Sequence, residues 1–169
     1  MQMSDTRQIA VSPAQVYAAL LDPEVLKACV PGAQEVTGSP QEGFEATVVQ
    51  KVGPVKATFK GEVEISDMVE NTSLKLSGTG KGGAAGFAKG EADVRLVEND
   101  GGCELSYDVE AKVGGKLAQL GSRIIDGFAK KMADQFFSNL QEQLEGPAPE
   151  DEGDDDAPSK KGWFGRAKG

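Results

Sequence analysis

The chain has 169 residues, a formal net charge of −9 and no histidine, and 38 % of it is hydrophobic. That length fits one domain plus a tail, and an acidic chain with no basic stripe argues against nucleic acid as a partner, because phosphate contacts need clustered Lys and Arg. No apolar run approaches the ~18 residues of a spanning helix, and no apolar h-region follows Met1–Arg7, so neither a membrane span nor a secretory leader is expected.

Gln8–Val11 reads as a short strand. It stops at Ser12-Pro13-Ala14-Gln15, a helix start with Ser12 as N-cap, Pro13 at the first helical position and Gln15 three after the cap. Asp22-Pro23 repeats the cap-plus-Pro signal and opens a second short helix that ends at Val30-Pro31-Gly32. Cys29 and Cys103 are far apart and lack a partner motif. They read as two isolated thiols in a reducing compartment.

From Ala33 to Val113 the period changes to two. Ala57, Phe59, Gly61, Val63 and Ile65 alternate with Lys56, Thr58, Lys60, Glu62 and Glu64. Leu105, Tyr107, Val109, Ala111 and Val113 alternate with Glu104, Ser106, Asp108, Glu110 and Lys112. Alternation of this kind marks an antiparallel sheet with one face in water. Turn signals at Gln41-Glu42-Gly43, Gly53-Pro54, Glu70-Asn71, Gly82-Gly83 and Asn99–Gly102 divide the run into about six strands.

Lys116–Leu144 then reads as one amphipathic helix of roughly eight turns, about 40 Å long. Its apolar row is Leu120, Ile124, Phe128, Met132, Phe136, Leu140 and Leu144. The class expected is therefore α+β, with a curved antiparallel sheet of about seven strands wrapped around one long C-terminal helix and two short helices after the first strand.

The inner face of the sheet carries many small residues: Ala46, Ala57, Gly61, Ala88, Gly90, Ala92 and Ala111. One helix covers only about 10 Å of a wider sheet. Either the sheet curls tightly onto the helix, or an apolar cavity remains between them. Such cavities bind apolar ligands. The wall expected of it comprises Phe59, Val63, Leu76, Ala92, Val94 and Tyr107 from strands. From the helix come Leu120, Ile124, Phe128, Met132 and Phe136.

Particular stretches narrow the reading. Cys29-Val30-Pro31-Gly32, Val52-Gly53-Pro54-Val55-Lys56 leading to Phe59-Lys60-Gly61, and Gly86–Ala92 fall in order. With Leu120-Gly121-Ser122-Arg123 and Phe136-Phe137 on the last helix, they resemble the carbon monoxide dehydrogenase G-subunit family, over about residues 1–145. That resemblance implies the helix-grip fold of the START/Bet v 1-like superfamily, with a hydrophobic ligand pocket. It also implies an accessory protein of a molybdenum hydroxylase of the carbon monoxide dehydrogenase type, linked to holding the enzyme at the membrane. A respiratory quinone, menaquinone or ubiquinone, is the natural ligand for such a partner.

Chemistry-bearing motifs are scarce. No zinc-ligand spacing or nucleophile elbow is present, so neither a metal nor a covalent cofactor is expected, and catalysis is not expected either. Gly78-Thr79-Gly80-Lys81-Gly82-Gly83 satisfies G-x-G-x-x-G, but strand-like alternation follows it where a dinucleotide site needs a helix N-terminus. It reads as a glycine-rich hairpin. Nearly all carboxylates fall on the solvent face of strands, and spacing forces none into a pair. Arg123, Lys130 and Lys131 read either as a solvated face paired with Asp126 and Asp134, or as a contact for a partner enzyme or a ligand's polar end.

The domain expected from these signals spans residues 1–146. Residues 147–158 follow as an acidic, self-repelling, disordered linker with six acids between Glu150 and Asp156. Residues 159–169 reverse the charge: Lys160, Lys161, Arg166 and Lys168 surround Trp163 and Phe164. Bases flanking aromatics suit an anionic membrane surface, or a protein partner. The expected place is the cytoplasm, at the inner face of the cell membrane.

Overall fold

Ser12 and Asp22 set the first corner of the fold. Ser12 Oγ accepts a hydrogen bond from the Gln15 N–H while the Gln15 side-chain oxygen accepts one from the Ser12 N–H, which closes a capping box at the start of α1 (Pro13–Leu20). Asp22 caps α2 (Pro23–Cys29) through the Glu24 N–H. The computed structural model of the protein describes residues 1–146, so the expected linker (147–158) and tail (159–169) lie outside the described residues.

The remaining elements follow the expected order: β1 (Gln2–Ile9) before the helix pair, then β2 (Ala33–Ser39), β3 (Gly43–Val52), β4 (Val55–Val69), β5 (Ser73–Lys81), β6 (Phe87–Asn99) and β7 (Gly102–Gly114). They form one seven-stranded sheet in the order β1-β7-β6-β5-β4-β3-β2, antiparallel throughout. Strands β2 to β7 are the expected meander. The glycine-rich segment is the end of β5 and the β5–β6 turn, with one 3-10 turn at Gly83–Ala85, the hairpin expected from its alternation.

Two expectations are corrected. The first strand begins at Gln2 rather than Gln8; Asp5 and Arg7 interrupt its apolar positions Met3 and Ile9 and hide the alternation. The last helix is not continuous from Lys116. A short α3 (Lys116–Gln119) ends at Leu120, and Gly121 adopts φ +89° before α4 (Ser122–Glu145) starts. That left-handed conformation suits glycine and breaks the helix.

The helix break goes with a change of stripe. A row spaced by four drifts about 40° per step, so four steps from Leu140 back to Ile124 turn through about 160°. Ile124 has therefore left the inner face and is 43 % exposed. The face that meets the sheet runs instead through Ile125, Phe128, Ala129, Met132, Ala133, Phe136, Phe137 and Leu140.

Packing is densest where α1, α2 and the C-terminal half of α4 converge on β1, β6 and β7. Ile9, Val16, Cys29, Cys103, Leu105 and Leu140 are fully buried there. Asn139 Nδ2 donates to the Cys29 carbonyl at 2.9 Å, and Gln141 Nε2 donates to the Gln8 carbonyl at 3.0 Å. Leu140→Ala is expected to cost about 2–5 kcal/mol in urea unfolding. Ile124→Ala, on the departed face, is expected to cost less than about 1 kcal/mol.

Candidate functional site: an apolar cavity under the helix

At the other end of the sheet α4 is the main cover, and small side chains replace large ones. Ala88 and Ala111 on the sheet face Ala129 and Ala133 on the helix. A cavity remains, in two lobes that meet at Met3, Val30, Val109, Ala133 and Phe136. The outer lobe is about 470 Å³ and the inner one about 280 Å³. Together they fall in the range of small-molecule sites.

Nine of the eleven expected wall residues line the cavity. Phe59, Phe128 and Met132 line the outer lobe; Val63, Leu76, Ala92, Val94 and Tyr107 line the inner one; Phe136 lines both. Leu120 and Ile124 line neither lobe. They lie against Gly53, which turns the tip of the β3–β4 hairpin at φ +59°, and Leu117 of α3 takes the place expected of Leu120.

Sequence reasoning missed the β3 wall. Phe44, Val48, Gln50 and Val52 face inward in register with Ala46, and continuing the period-two count from Ala46 would have reached them. Met3 was missed because the first strand was begun too late. Val30 and Pro31, in the loop after α2, close the remaining side.

Only two lining side chains carry hydrogen-bonding groups. Gln50 donates from Nε2 to the Pro31 carbonyl, which fixes the amide against the loop and leaves its carbonyl oxygen as an acceptor. Tyr107 is buried in the inner lobe, stacked on Phe137 at 5.0 Å between ring centroids. Burial raises its pKa, with smaller effects from Asp5 and Arg7, so the phenol stays protonated.

Arg7 lies beside that stack, with its guanidinium 5.3 Å from the Phe137 ring centroid. It pairs with Asp134 of α4 and lies 3.9 Å from Asp5. Asp5 stands opposite Tyr107 in the β1–β7 register, so it shares the concave face with Tyr107. The cluster closes the seam between β1 and α4, and none of its members lines a lobe. Lys130 pairs with Asp134 at 3.4 Å, as one of its two readings held. Among the described residues no group of three or more His, Cys, Asp or Glu is placed to hold a metal ion, and no helix is long and apolar enough to cross a membrane.

With the cavity defined, comparison with known proteins becomes specific. The family model for the carbon monoxide dehydrogenase G subunit (CoxG) matches residues 6–145. The chain belongs to the CoxG family. A conserved protein from Geobacillus kaustophilus is similar in structure, with 27 % identity and a TM-score of 0.80, covering 86 % of this chain and 95 % of that one. A protein from Chromobacterium violaceum shares the fold at 17 % identity and a TM-score of 0.63, over 86 % and 99 % of the two chains. Ara h 8.0201 does so at 15 % identity and a TM-score of 0.60, over 87 % and 99 %. No curated protein matches the chain. The fold is thus the helix-grip fold, and the CoxG family is one of accessory subunits.

Both cysteines are buried and unpaired. Burial pushes the Cys29 thiol up to about 11 from its ordinary 9.0, and burial raises Cys103 too. Because the thiolate is the nucleophile, a disulfide reagent at pH 8 should modify neither cysteine in the native protein and both after unfolding in urea. The unfolded chain gives up the Cys29 proton near pH 9, whereas the native one keeps it until about pH 11. Stability from this group is therefore whole below pH 9 and falls between pH 9 and 11.

Proposed function

We propose that this CoxG protein is a non-catalytic carrier. It holds a lipophilic ligand, a respiratory quinone such as menaquinone or ubiquinone, in the cavity and serves a molybdenum hydroxylase of the carbon monoxide dehydrogenase type at the membrane. The observation that carries this reading is the cavity's lining: almost wholly apolar, with one acceptor at Gln50 and one donor at Tyr107. A quinone presents a flat apolar ring, an apolar chain and two carbonyl oxygens. The Tyr107 hydroxyl suits a carbonyl, and the apolar remainder suits the ring and chain. Family membership favours a partner of the carbon monoxide dehydrogenase type, and an enzyme that oxidises its substrate needs an electron acceptor.

Solvent extraction or native mass spectrometry of the purified protein should recover a quinone or related lipid. A protein that is empty and also refuses added menaquinone and ubiquinone is not a carrier. Ala129→Trp projects an indole into the outer lobe from the middle of α4. It is expected to leave the thermal midpoint within a few degrees and to reduce quinone uptake at least tenfold, because it removes space rather than a contact.

The C-terminal stretch around Trp163 and Phe164, with Lys160, Lys161, Arg166 and Lys168, is proposed as a weak membrane contact on the inner face of the cell membrane. Each base near an anionic surface contributes about 1 kcal/mol. Deleting residues 159–169 should then weaken cosedimentation with anionic liposomes, and unchanged binding would remove the tail from this account.

A second reading keeps the partner and drops the ligand: an assembly or recruitment factor for the same enzyme. Leu117 of α3, bracketed by Gly115 at φ +72° and Gly121 at φ +89°, favours it in one respect, since inward movement of this short segment would fill part of the outer lobe. Partner binding by an empty protein would decide for it. A cyclase or hydrolase of the same fold is the weakest reading, since polar groups do not converge in either lobe.

A further inference from the structure

The wide end of the cavity carries charge in a pattern that no single stretch of sequence contains. Register sets Lys60 opposite Lys81, Lys89 opposite Lys112, and Lys51 opposite Lys56 at the β3–β4 hairpin. Lys116 and Arg123 add to them at the α3–α4 junction. All eight are exposed. None forms an ion pair among the described residues, whereas Arg7, Lys75, Arg95 and Lys130 do.

Like charges directly opposite one another weaken a sheet, so folding does not account for this arrangement. The strand lysines project from the convex face at this end, where Glu45 and Glu62 lie on the β2 side and Glu91 and Glu110 lie two positions along from Lys89 and Lys112; Asp126 lies on α4, and the bases outnumber these acids. The N-terminus of α4 has no side-chain cap, which adds positive partial charge at the same end. The opposite end carries Glu42, Asp67, Glu70, Glu98, Asp100 and Glu145. The molecule is polarised along its long axis despite its net charge of −9.

Apolar surface coincides with the basic end. Phe87 is 46 % and Ile124 is 43 % exposed. Each is followed in the chain by a residue that lines the outer lobe, Ala88 and Ile125. A surface groove of about 430 Å³ shares Met1, Ala111, Val113 and Ile125 with that lobe and passes Lys112. Bases ringed about exposed apolar side chains, with an apolar cavity behind them, match the chemistry of an anionic bilayer: headgroup charge outside, hydrocarbon within. A nucleic acid or an acidic protein would satisfy the lysines but offer nothing to the cavity mouth.

We propose that the rim of the cavity mouth, formed by these lysines with Phe87 and Ile124, docks the folded domain directly on an anionic lipid bilayer, independently of the C-terminal tail. The proposal rests on the cavity's being a lipophilic site, which would then face the bilayer it exchanges with.

The test uses the full chain and vesicles of equal parts phosphatidylglycerol and phosphatidylcholine, with phosphatidylcholine alone as the blank. Lys89→Glu with Lys112→Glu should weaken cosedimentation at least ~25-fold, about fivefold for each lysine lost. Lys27→Glu with Lys131→Glu makes the same change in net charge away from the rim and should have a much smaller effect. Phe87→Ser should weaken binding without altering its salt dependence. Thermal melts confirm that each variant folds. An unchanged affinity in the rim variant overturns the proposal, as does an equal loss in the control pair. So does a Trp163→Ala, Phe164→Ala variant that abolishes all binding while the rim variant has no effect, and so does rim-dependent binding to duplex DNA without binding to vesicles. Ligand content, measured by extraction of the same samples, tests the carrier reading separately: a docked but empty protein refutes the carrier and keeps the rim.

Discussion

One helix has to cover seven strands, and the rest of the molecule follows from that mismatch. Seven strands at about 4.8 Å spacing span roughly 29 Å, whereas a helix covers about 10 Å. Curvature of the sheet narrows the difference without removing it. At one end α1 and α2 lie beside α4 and supply the missing cover, so Ile9, Val16, Leu105 and Leu140 are fully buried. At the other end α4 has no such neighbours, and Ala88, Ala111, Ala129 and Ala133 face one another across open space. The site is therefore placed by where the short helices stop. Two caps, Ser12 and Asp22, fix that point.

The same geometry shapes the mouth. A straight helix from Lys116 would run its first turns out past the sheet. Breaking at Gly121 lets Leu117 turn inward, where it is buried against the cavity. Leu120 and Ile124 meanwhile receive the tip of the β3–β4 hairpin at Gly53. Residues that would have been wall become the support of the rim, and a four-residue segment between two glycines with positive φ becomes part of the wall.

Much of this is legible in the amino-acid order alone. The two helix caps, the turn positions and the alternation from Ala33 to Val113 carry their own local physics, and each placed its element. The surplus of Ala and Gly on one face left two outcomes open, a tightly curled sheet or a cavity, because small residues under a single helix meet packing density only if the sheet closes on it. What failed depended on angle or on distance along the chain. Spacing by four looks like a stripe but rotates about 40° per step, so Phe136 lines the cavity and Ile124 does not. Asp5 and Arg7 masked the alternation of β1 because their partners, Tyr107 and Asp134, are more than a hundred residues away. Gln50 went unnoticed because polar residues are expected to face water, and its bond to Pro31 becomes visible only in three dimensions.

Charge is the clearest case of information that the linear chain conceals. The absence of a basic stripe in the sequence is real, yet register brings lysines from four strands, β3 to β6, and from β7 together at the cavity mouth. Net charge decides long-range attraction, but at a Debye length of about 8 Å a docking surface senses the end that approaches it. The described chain closes at Gly146, at the acidic end, and α4 separates that end from the mouth by about 36 Å. Residues 147–158 span at most about 43 Å when fully extended. A tail beginning at residue 159 reaches the bilayer that the mouth meets only when the twelve residues before it use most of that length. If the proposed rim and the proposed tail both meet a bilayer, linker length sets whether they do so at the same time. Shortening the linker would make them compete, whereas lengthening it would let both engage.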